Sequence, residues 1–379
     1  MKLALIGDLH LSETSPRYQH TLDVLDFVID DAETQARGEA LAFAFLGDLY
    51  EGHPSGTEYA DLLERVHRMR GSRDVYAILG NHESYVALAF WRHLGIVTAW
   101  DNIRTHDLGL ARLLLVPYPR RGRAPFELLG DDGTMAESRR AAAAVIAERV
   151  KMALQATTPL LVLGHWTVEG MTTRDADFEL HTATEVVVPW AAFDGVALTA
   201  VGHIHRQQAL GDEGDVPNIL SVGGLVRHSF AEADDPKSYT LVTVDQGRVT
   251  WERRPVPARE MVVGTTRWLG EIGPNNTLVL DFDFDPGAVA GKEVKLTVEI
   301  AEDRLSSFDP SVFDPLRAAA ALFVLDRRTV SVQRQRAPEI GRAESVGAQL
   351  ATWLRTVDLE GVDDARQARL AEKVAEVER

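Results

Sequence analysis

The sequence predicts an α/β protein followed by a smaller α+β region, and three observations carry that prediction. Short aliphatic runs, each ending abruptly in a Gly-polar step, recur through the first 265 residues. Patterns with helical spacing fill the stretches between them. After about residue 265 the texture changes to strands that alternate apolar with polar positions. A chain of 379 residues has room for two or three domains at about 150 residues each.

Taken in order, the aliphatic runs are Leu3–Ile6, Leu41–Leu46, Val75–Leu79, Leu160–Leu163 and Val196–Val201. Continuous apolar runs of this length, bounded by glycine, suit strands buried on both faces. Leu22, Leu25, Val28 and Ile29 share one helical face, as do Leu62, Leu63, Val66 and Met69. Arg139–Gln155 is Ala-rich and free of Gly and Pro, which predicts a further helix. Leu108–Val116, followed by Pro117-Tyr118-Pro119, adds strand material. Strands alternating with helices make an α/β domain, expected over 1–265.

Beyond it, Leu278–Phe284 and Val294–Ile300 read as half-buried strands. A helix is expected at Pro315–Leu322 and another strand at Val330–Val332, which makes 266–338 a small α+β domain. Residues 339–379 read as helical, with an apolar stripe of Val346, Leu350, Trp353, Leu354 and Val357. That stripe suits either packing on its own domain or capture by a partner.

Composition narrows the chemistry. With no cysteine, thiolate metal sites, disulfides and Cys nucleophiles are excluded. The run after Met1-Lys2 is too short for a signal-peptide core, and no stretch approaches the ~18 apolar residues of a membrane span. No membrane partner and a cytoplasmic location are therefore expected. A formal net charge of −17 speaks against a polybasic coat for nucleic acid or membrane. It leaves room for a nucleic-acid enzyme, because screening over roughly 8 Å makes local patches matter more than the total.

All 12 histidines precede residue 229, and five stand at the ends of predicted strands. Asp8 and His10 follow the first run, Asp48 the second, Asn81 and His82 the third, His165 the fourth, and His203 and His205 the fifth. Side chains two apart on an extended segment point the same way, so each Asp-x-His or His-x-His pair is expected to face one point. Each fragment alone is a weak signal, and five in this order are far beyond chance. Carboxylate, amide and imidazole donors without thiolate suit manganese, iron or zinc. Seven potential ligands exceed one tetrahedral site, so two metals sharing a carboxylate are expected. Such pairs, roughly 3.5–4 Å apart, serve in-line displacement at phosphorus, with a metal-bridging hydroxide as the expected nucleophile.

Gly-Asp-x-His, Gly-Asp, Gly-Asn-His-Glu, Gly-His and Gly-His-x-His, from position 7 to 205, resemble the signature of the calcineurin-like metallophosphoesterases. That resemblance implies a sandwich of two β-sheets flanked by helices. Within the superfamily the chain looks most like the SbcD-type nuclease subunits. The segment Gly223-Gly224-Leu225-Val226-Arg227, with Phe230 and Glu232, is similar to theirs after the last histidine motif. Lys292–Ile300 and Asp303–Phe308 look like part of their capping domain, and 339–379 sits where they bind their ATPase.

By resemblance, Asp8, His10, Asp48 and His205 would hold one metal, and Asp48 would bridge to a second held by Asn81, His165 and His203. His82 would protonate or orient the leaving oxygen. The implied activity is manganese-dependent 3′→5′ exonuclease and endonuclease action on DNA double-strand ends and single strands. The implied partners are an SbcC-like SMC-type ATPase and a second copy of the chain as a homodimer. Two features depart from the pattern. Glu51 stands where some relatives carry His, with His53 two residues on, and the turn after His10 reads Leu-Ser-Glu-Thr-Ser-Pro.

Arg120, Arg121 and Arg123, after the Pro-Tyr-Pro turn, are the favoured phosphate contacts, with Arg227 from the resemblance. Arg65, Arg68, Arg70 and Arg73, and Arg327, Arg328, Arg334 and Arg336, form two further clusters. There is no Walker-type loop, so ATP dependence would come from a partner. A small-molecule phosphodiesterase, acting for example on cyclic nucleotides, and a non-cutting DNA-end scaffold are the rival readings.

Overall fold

The computed structural model describes residues 1–71, 74–84, 86–87, 91, 95–99, 102–120, 134–172, 185–211, 218–272 and 278–331, with 366, 369 and 373. The early strands are β1 (Lys2–Ile6), β2 (Leu41–Phe45), β3 (Val75–Ile78), β4 (Val97–Ala99), β5 (Arg104–Asp107), β6 (Arg112–Val116) and β7 (Leu160–His165). They continue with β8 (Thr167–Val168), β9 (Val187–Val188), β10 (Leu198–Gly202), β11 (Gln208–Leu210), β12 (Ile219–Ser221), β13 (Ser238–Asp245) and β14 (Arg248–Pro255). The helices are α1 (Tyr18–Ala36), α2 (Gly56–Arg70) and α3 (Met135–Ala153).

Two six-stranded sheets result, in the orders β14-β13-β1-β2-β3-β4 and β11-β12-β10-β7-β6-β5. Neighbours β1, β2 and β3 run parallel, as do β6, β7, β10 and β12, which requires crossover connections; α1, α2 and α3 supply those between β1 and β2, β2 and β3, and β6 and β7. The two-residue period of a strand then divides the core. Leu3, Leu5, Ala44 and Ile78 pack with Leu113, Leu115, Leu163 and Ala200 in one layer between the sheets. Ala4, Ile6, Phe43 and Phe45 face the other way, onto Leu22, Leu25, Val28 and Leu62 of α1 and α2. Val162 and Leu160 likewise meet Ile146 and Val150 of α3. This is the sandwich the sequence predicts, and each fully buried Leu or Phe contributes about 1.5–3 kcal/mol.

Helix starts are set by local chemistry. Ser55 and Glu58 form a capping box on α2, and Thr134 and Glu137 form another on α3. These reciprocal bonds satisfy amide donors that a helix's first turn leaves open.

Further strands are β15 (Met261–Ile272), β16 (Leu278–Phe282), β17 (Glu293–Ala301) and β18 (Leu322–Val330), with a short helix α4 (Asp314–Ala319) before the last. They form a sheet in the order β16-β15-β17-β18. The helix is shorter than the expected Pro315–Leu322, and the strand expected at Val330–Val332 instead begins at Leu322. Aromatic and β-branched Phe323 and Val324 favour strand there and end the Ala-rich helix early. Two compact units divide the described chain, both discontinuous in sequence. One comprises Met1–Gly264, Phe284–Leu296 and Phe313–Val324, and the other Thr265–Asp283, Thr297–Val312 and the described part of Leu325–Arg379. The apolar stripe expected over 339–379, and Arg73, Arg121, Arg123, Arg334 and Arg336, lie outside the described residues. Among those described, no helix is long and apolar enough to cross a membrane.

Candidate metal centre

Every candidate ligand stands at the carboxyl end of a strand. Asp8 and His10 follow β1, Asp48 follows β2, and Asn81 and His82 follow β3, all in one sheet. His165 ends β7 and His203 and His205 follow β10, in the other sheet. The centre therefore lies where the carboxyl edges of both sheets meet, the position that open α/β sheets reserve for sites.

The residues converge by a different local geometry from the extended one expected from sequence. Asp8, His10, Asp48 and His203 have φ of 42°, 46°, 50° and 88°. Positive φ is uncommon in residues with a side chain and concentrates at functional sites, where the surrounding structure holds the strain. Here the loops are held by backbone bonds, His10 N–H to Asp48 O at 2.9 Å and Leu11 N–H to Leu49 O at 2.9 Å. Left-handed bends, rather than strand alternation, turn the ligands inward.

Three groups of donors form among the described residues. Asp8, His10 and His205 present donor atoms within 4.8 Å of one another, as do Asp48, His165 and His203, and so, at the exposed rim, do His10, Glu51 and His82. Asp48 lies between the first two, its Oδ2 at 3.1 Å from His165 Nε2 and 3.7 Å from His10 Nε2. Asn81 Oδ1 is 2.8 Å from His165 Nε2 and 2.9 Å from His203 Nδ1. His82 stands beside the clusters, its ring 4.7 Å from that of His10, and its N–H donates to Asp48 Oδ1 at 2.9 Å.

The outer nitrogen of each ligand imidazole is committed. His10 Nδ1 pairs with Glu51 at 2.6 Å, His165 Nδ1 donates to the Leu46 carbonyl at 2.6 Å, His203 Nε2 pairs with Glu185 at 2.8 Å, and His205 Nδ1 meets Glu232 at 3.3 Å. Fixing one nitrogen as the N–H donor leaves the other with a lone pair facing inward, the arrangement typical of ligating histidines. His10 Nε2 and His205 Nε2 accordingly face each other at 3.0 Å. Asp8 Oδ2 is buried and has no hydrogen-bond partner. Converging lone pairs and an orphaned carboxylate oxygen fit cations, and the oxygen and nitrogen donor set fits divalent ones.

The electrostatics show that the site favours positive charge. Burial opposes ionisation of Asp48, yet the His165 and His10 rings hold its carboxyl well below the ordinary range. Full burial also opposes charge on His165, yet Asp48 raises its pKa to about 9. Behind them, burial and the nearby Asp48 push Glu83 up to about 7. Glu83 accepts from the amides of Leu49 and Gly80 and so ties the β2 and β3 loops together.

Of the arginines proposed for phosphate binding from the loop after Pro-Tyr-Pro and from the resemblance, the two described, Arg120 and Arg227, are engaged on backbone carbonyls. Arg120 donates to the carbonyls of Gly80 (3.0 Å), Asn81 (3.1 Å) and Glu83, bracing the loop that carries Asn81 and His82. Arg227 donates to the carbonyls of Glu232, Asp235 and Arg259 at 3.1, 2.7 and 2.6 Å. Arg65 and Arg68 pair with Asp26, and Arg68 also with Asp30.

Sequence reasoning missed Glu185 and His228. His228 Nε2 lies 2.9 Å from the Asp8 carbonyl, and burial together with the neighbouring His205 and His10 pushes its pKa down to about 3. Glu185 follows His181-Thr182-Ala183-Thr184, which carries no recognisable spacing. A histidine directly after the Arg227 motif is the one signal that could have found His228.

Residues 1–207 match the model of the calcineurin-like phosphoesterase family. The chain is 26% identical over 216 residues to the D subunit of the SbcCD nuclease from Escherichia coli K12, and equally to its counterpart from strain O157:H7. The match covers 56% of this chain and 52% of each of those proteins, so the chain spans about half their length. Similar solved structures include a purple acid phosphatase from yellow lupin seeds (TM-score 0.38, 12% identity, 67% of this chain and 51% of that one). A Mycoplasma pneumoniae phosphatase gives a TM-score of 0.35 at 13% identity over 68% of this chain and 94% of that one. With the family model covering more than half of the sequence, the chain belongs to the calcineurin-like phosphoesterases, metal-dependent hydrolases of phosphoesters.

Proposed function

We propose that this chain is a two-metal, manganese-dependent DNA nuclease with 3′→5′ exonuclease and endonuclease action, working in an SbcCD-like complex on double-strand breaks. The observation that carries the reading is the pair of donor clusters joined by Asp48, in a chain similar to one component of the SbcCD nuclease. Asp8, His10, Asp48 and His205 would hold one ion, and Asp48, Asn81, His165 and His203 the other. Ions held there would neutralise phosphate charge as Lewis acids and supply acidified water.

The chain's own residues would do the rest. Asp48, buried and oriented by the His82 amide, keeps the two donor sets in register. His82 has a side chain 38% exposed, so its ring can reach a bound phosphodiester, where it would protonate or orient the leaving oxygen. Arg120, Arg121, Arg123 and Arg227 are the proposed DNA contacts. Residues 266–338 would act as a capping domain and 339–379 as the tether for an SbcC-like ATPase, in a homodimeric assembly in the cytoplasm.

The test is purified protein with manganese on end-labelled linear duplex DNA, beside His82→Ala. Metal-dependent cleavage that His82→Ala lowers by about 10²–10⁴ supports the reading. Intact DNA together with turnover of a cyclic nucleotide would replace it with the small-molecule phosphodiesterase. Binding without cleavage would leave the non-cutting scaffold. Removal of residues 340–379 should abolish co-purification with the ATPase while metal-dependent activity survives.

A further inference from the structure

We propose that Tyr118 is a stacking platform for the base of the nucleoside that stays on the phosphate after cleavage, in a pocket beside His165 and His203. The inference rests on the metal centre and on the role given to His82 under the proposed function. In that reading hydrolysis adds the oxygen of water to phosphorus and breaks the P–O bond beside His82, where the leaving oxygen takes its proton. The other ester bond survives, and its substituent needs a place of its own.

Different rings mark the two sides of the centre. The His82 ring lies 4.7 Å from that of His10, which groups with Asp8 and His205. The Tyr118 ring instead lies 6.0 Å from His165 and 5.7 Å from His203, which group with Asp48. A phosphate bridging the two donor groups therefore presents one ester oxygen to His82 and sends the other past Tyr118. There Tyr118 lines a cavity of about 210 Å³ together with Pro119, Met135, Ser138, Arg139 and Val186 among the described residues. That is the space of about seven waters, enough for one flat ring system and too little for a helix or strand. The walls suit a base: a phenol ring and a guanidinium both take an aromatic face, and the exposed Met135 adapts to its outline.

The platform is set before substrate arrives. The Tyr118 N–H donates to the Leu79 carbonyl at 2.8 Å, and Arg120 donates to the carbonyls of Gly80 and Asn81 at 3.0 and 3.1 Å. Pro117 and Pro119 fix φ on either side. The ring thus keeps a constant place relative to Asn81, and a base that stacks on it has little protein left to order.

The test holds the leaving group constant and varies the retained one, in the full-length protein at saturating manganese. The substrates are p-nitrophenyl esters of thymidine 5′-phosphate, of abasic 2-deoxyribose 5-phosphate and of methyl phosphate. Wild-type KM should be lower for the thymidine ester than for the abasic one by about 5- to 150-fold, the worth of one stacked base. Tyr118→Leu should shrink that ratio to about twofold or less, and Tyr118→Phe should keep it. Any disturbance of His165 and His203 falls on all three esters alike, so the ratio reports the base. Titration calorimetry with thymidine 5′-monophosphate and abasic deoxyribose 5-phosphate gives the same comparison without turnover. Equal KM and equal affinity for the two in the wild type, or a ratio that survives Tyr118→Leu, overturns the proposal. A ratio lost in Tyr118→Phe also overturns it, because the hydroxyl and not the ring face would then hold the base. None of these compounds is duplex DNA, so intact duplex counts against the nuclease reading alone and leaves the base preference standing.

Discussion

Arg17 Nε donates to the Glu293 carboxylate at 2.7 Å, joining two residues 276 positions apart, and Glu293 is 1% exposed. Arg17 also donates to the His228 carbonyl at 3.0 Å and lies over the Phe230 ring at 5.6 Å. One side chain thus ties the start of α1, the segment after the Arg227 motif and the first residue of β17. Losing the cation would strand a buried carboxylate. Arg17→Met should therefore cost about 3–5 kcal/mol in urea unfolding, and the double change Arg17→Met/Glu293→Leu markedly less. A single-variant loss below about 1 kcal/mol would mean that water reaches Glu293 and that the pair does not lock the fold.

Glycines set how closely the ligand loops approach. A Cβ on Gly80 would meet the Asp48 carboxylate and amide, and one on Gly47, whose φ is +94°, would meet the His165 ring. These neighbours cannot give way without moving ligands. Gly80→Ala should lower manganese affinity by about 10-fold or more, as loss of ligand alignment does, and cost about 1–3 kcal/mol of stability from overpacking. Titration calorimetry and thermal unfolding read the two effects. Unchanged affinity would show that the β2 and β3 loops shift together and that the close approach is incidental.

Those glycines also show what the sequence could carry. The strand ends were legible because buried parallel strands need unbroken aliphatic runs, and because Gly-ligand steps interrupt them abruptly. The convergence of Asp8, His10, Asp48, Asn81, His82, His165, His203 and His205 was legible for the same reason, since ordered fragments at strand ends leave little else to explain them. Their bend geometry was not legible. Positive φ at His10 and Asp48 goes with a backbone bond between their loops, and His203 bonds its amide to the Asp8 carboxylate, contacts between segments dozens of residues apart. The outer carboxylates were legible only in part. Glu51 showed as a departure and Glu232 as part of a motif, but Glu185 meets His203 only through the folded chain. The strand Leu322–Val330 was misplaced because its exposed positions lack the alternation that marked β17.

The donor set predicts a large response to metal removal. Ions that bind the folded chain stabilise it by mass action, about 2.7 kcal/mol at 100 times the dissociation constant. Adding manganese to chelator-treated protein should raise Tm in a concentration-dependent way. Asp48→Asn, which weakens the residue proposed to bridge both clusters, should reduce that rise by more than half. A variant with the full wild-type response would show that Asp48 is not shared between the donor sets.

His20 predicts one way in which acid weakens the fold. Its Nε2 accepts the Arg259 N–H at 2.9 Å, and burial, reinforced by Arg259, pushes its pKa down from 6.5 to about 4. Below pH 6.5 the unfolded chain therefore takes up a proton that the native state refuses. The stabilising contribution is complete above pH 6.5, falls as the pH drops toward 4 and levels off beneath it. Because the ring keeps some solvent contact, the loss is discounted to about 1–2 kcal/mol. His20→Gln retains a carbonyl acceptor for the Arg259 amide but does not titrate. The difference between wild type and His20→Gln in urea unfolding should therefore change between pH 6.5 and 4 by that amount, with the variant losing less. Parallel pH curves for the two proteins would show that His20 is protonated in the native state and that its bond to Arg259 is not what holds its pKa down.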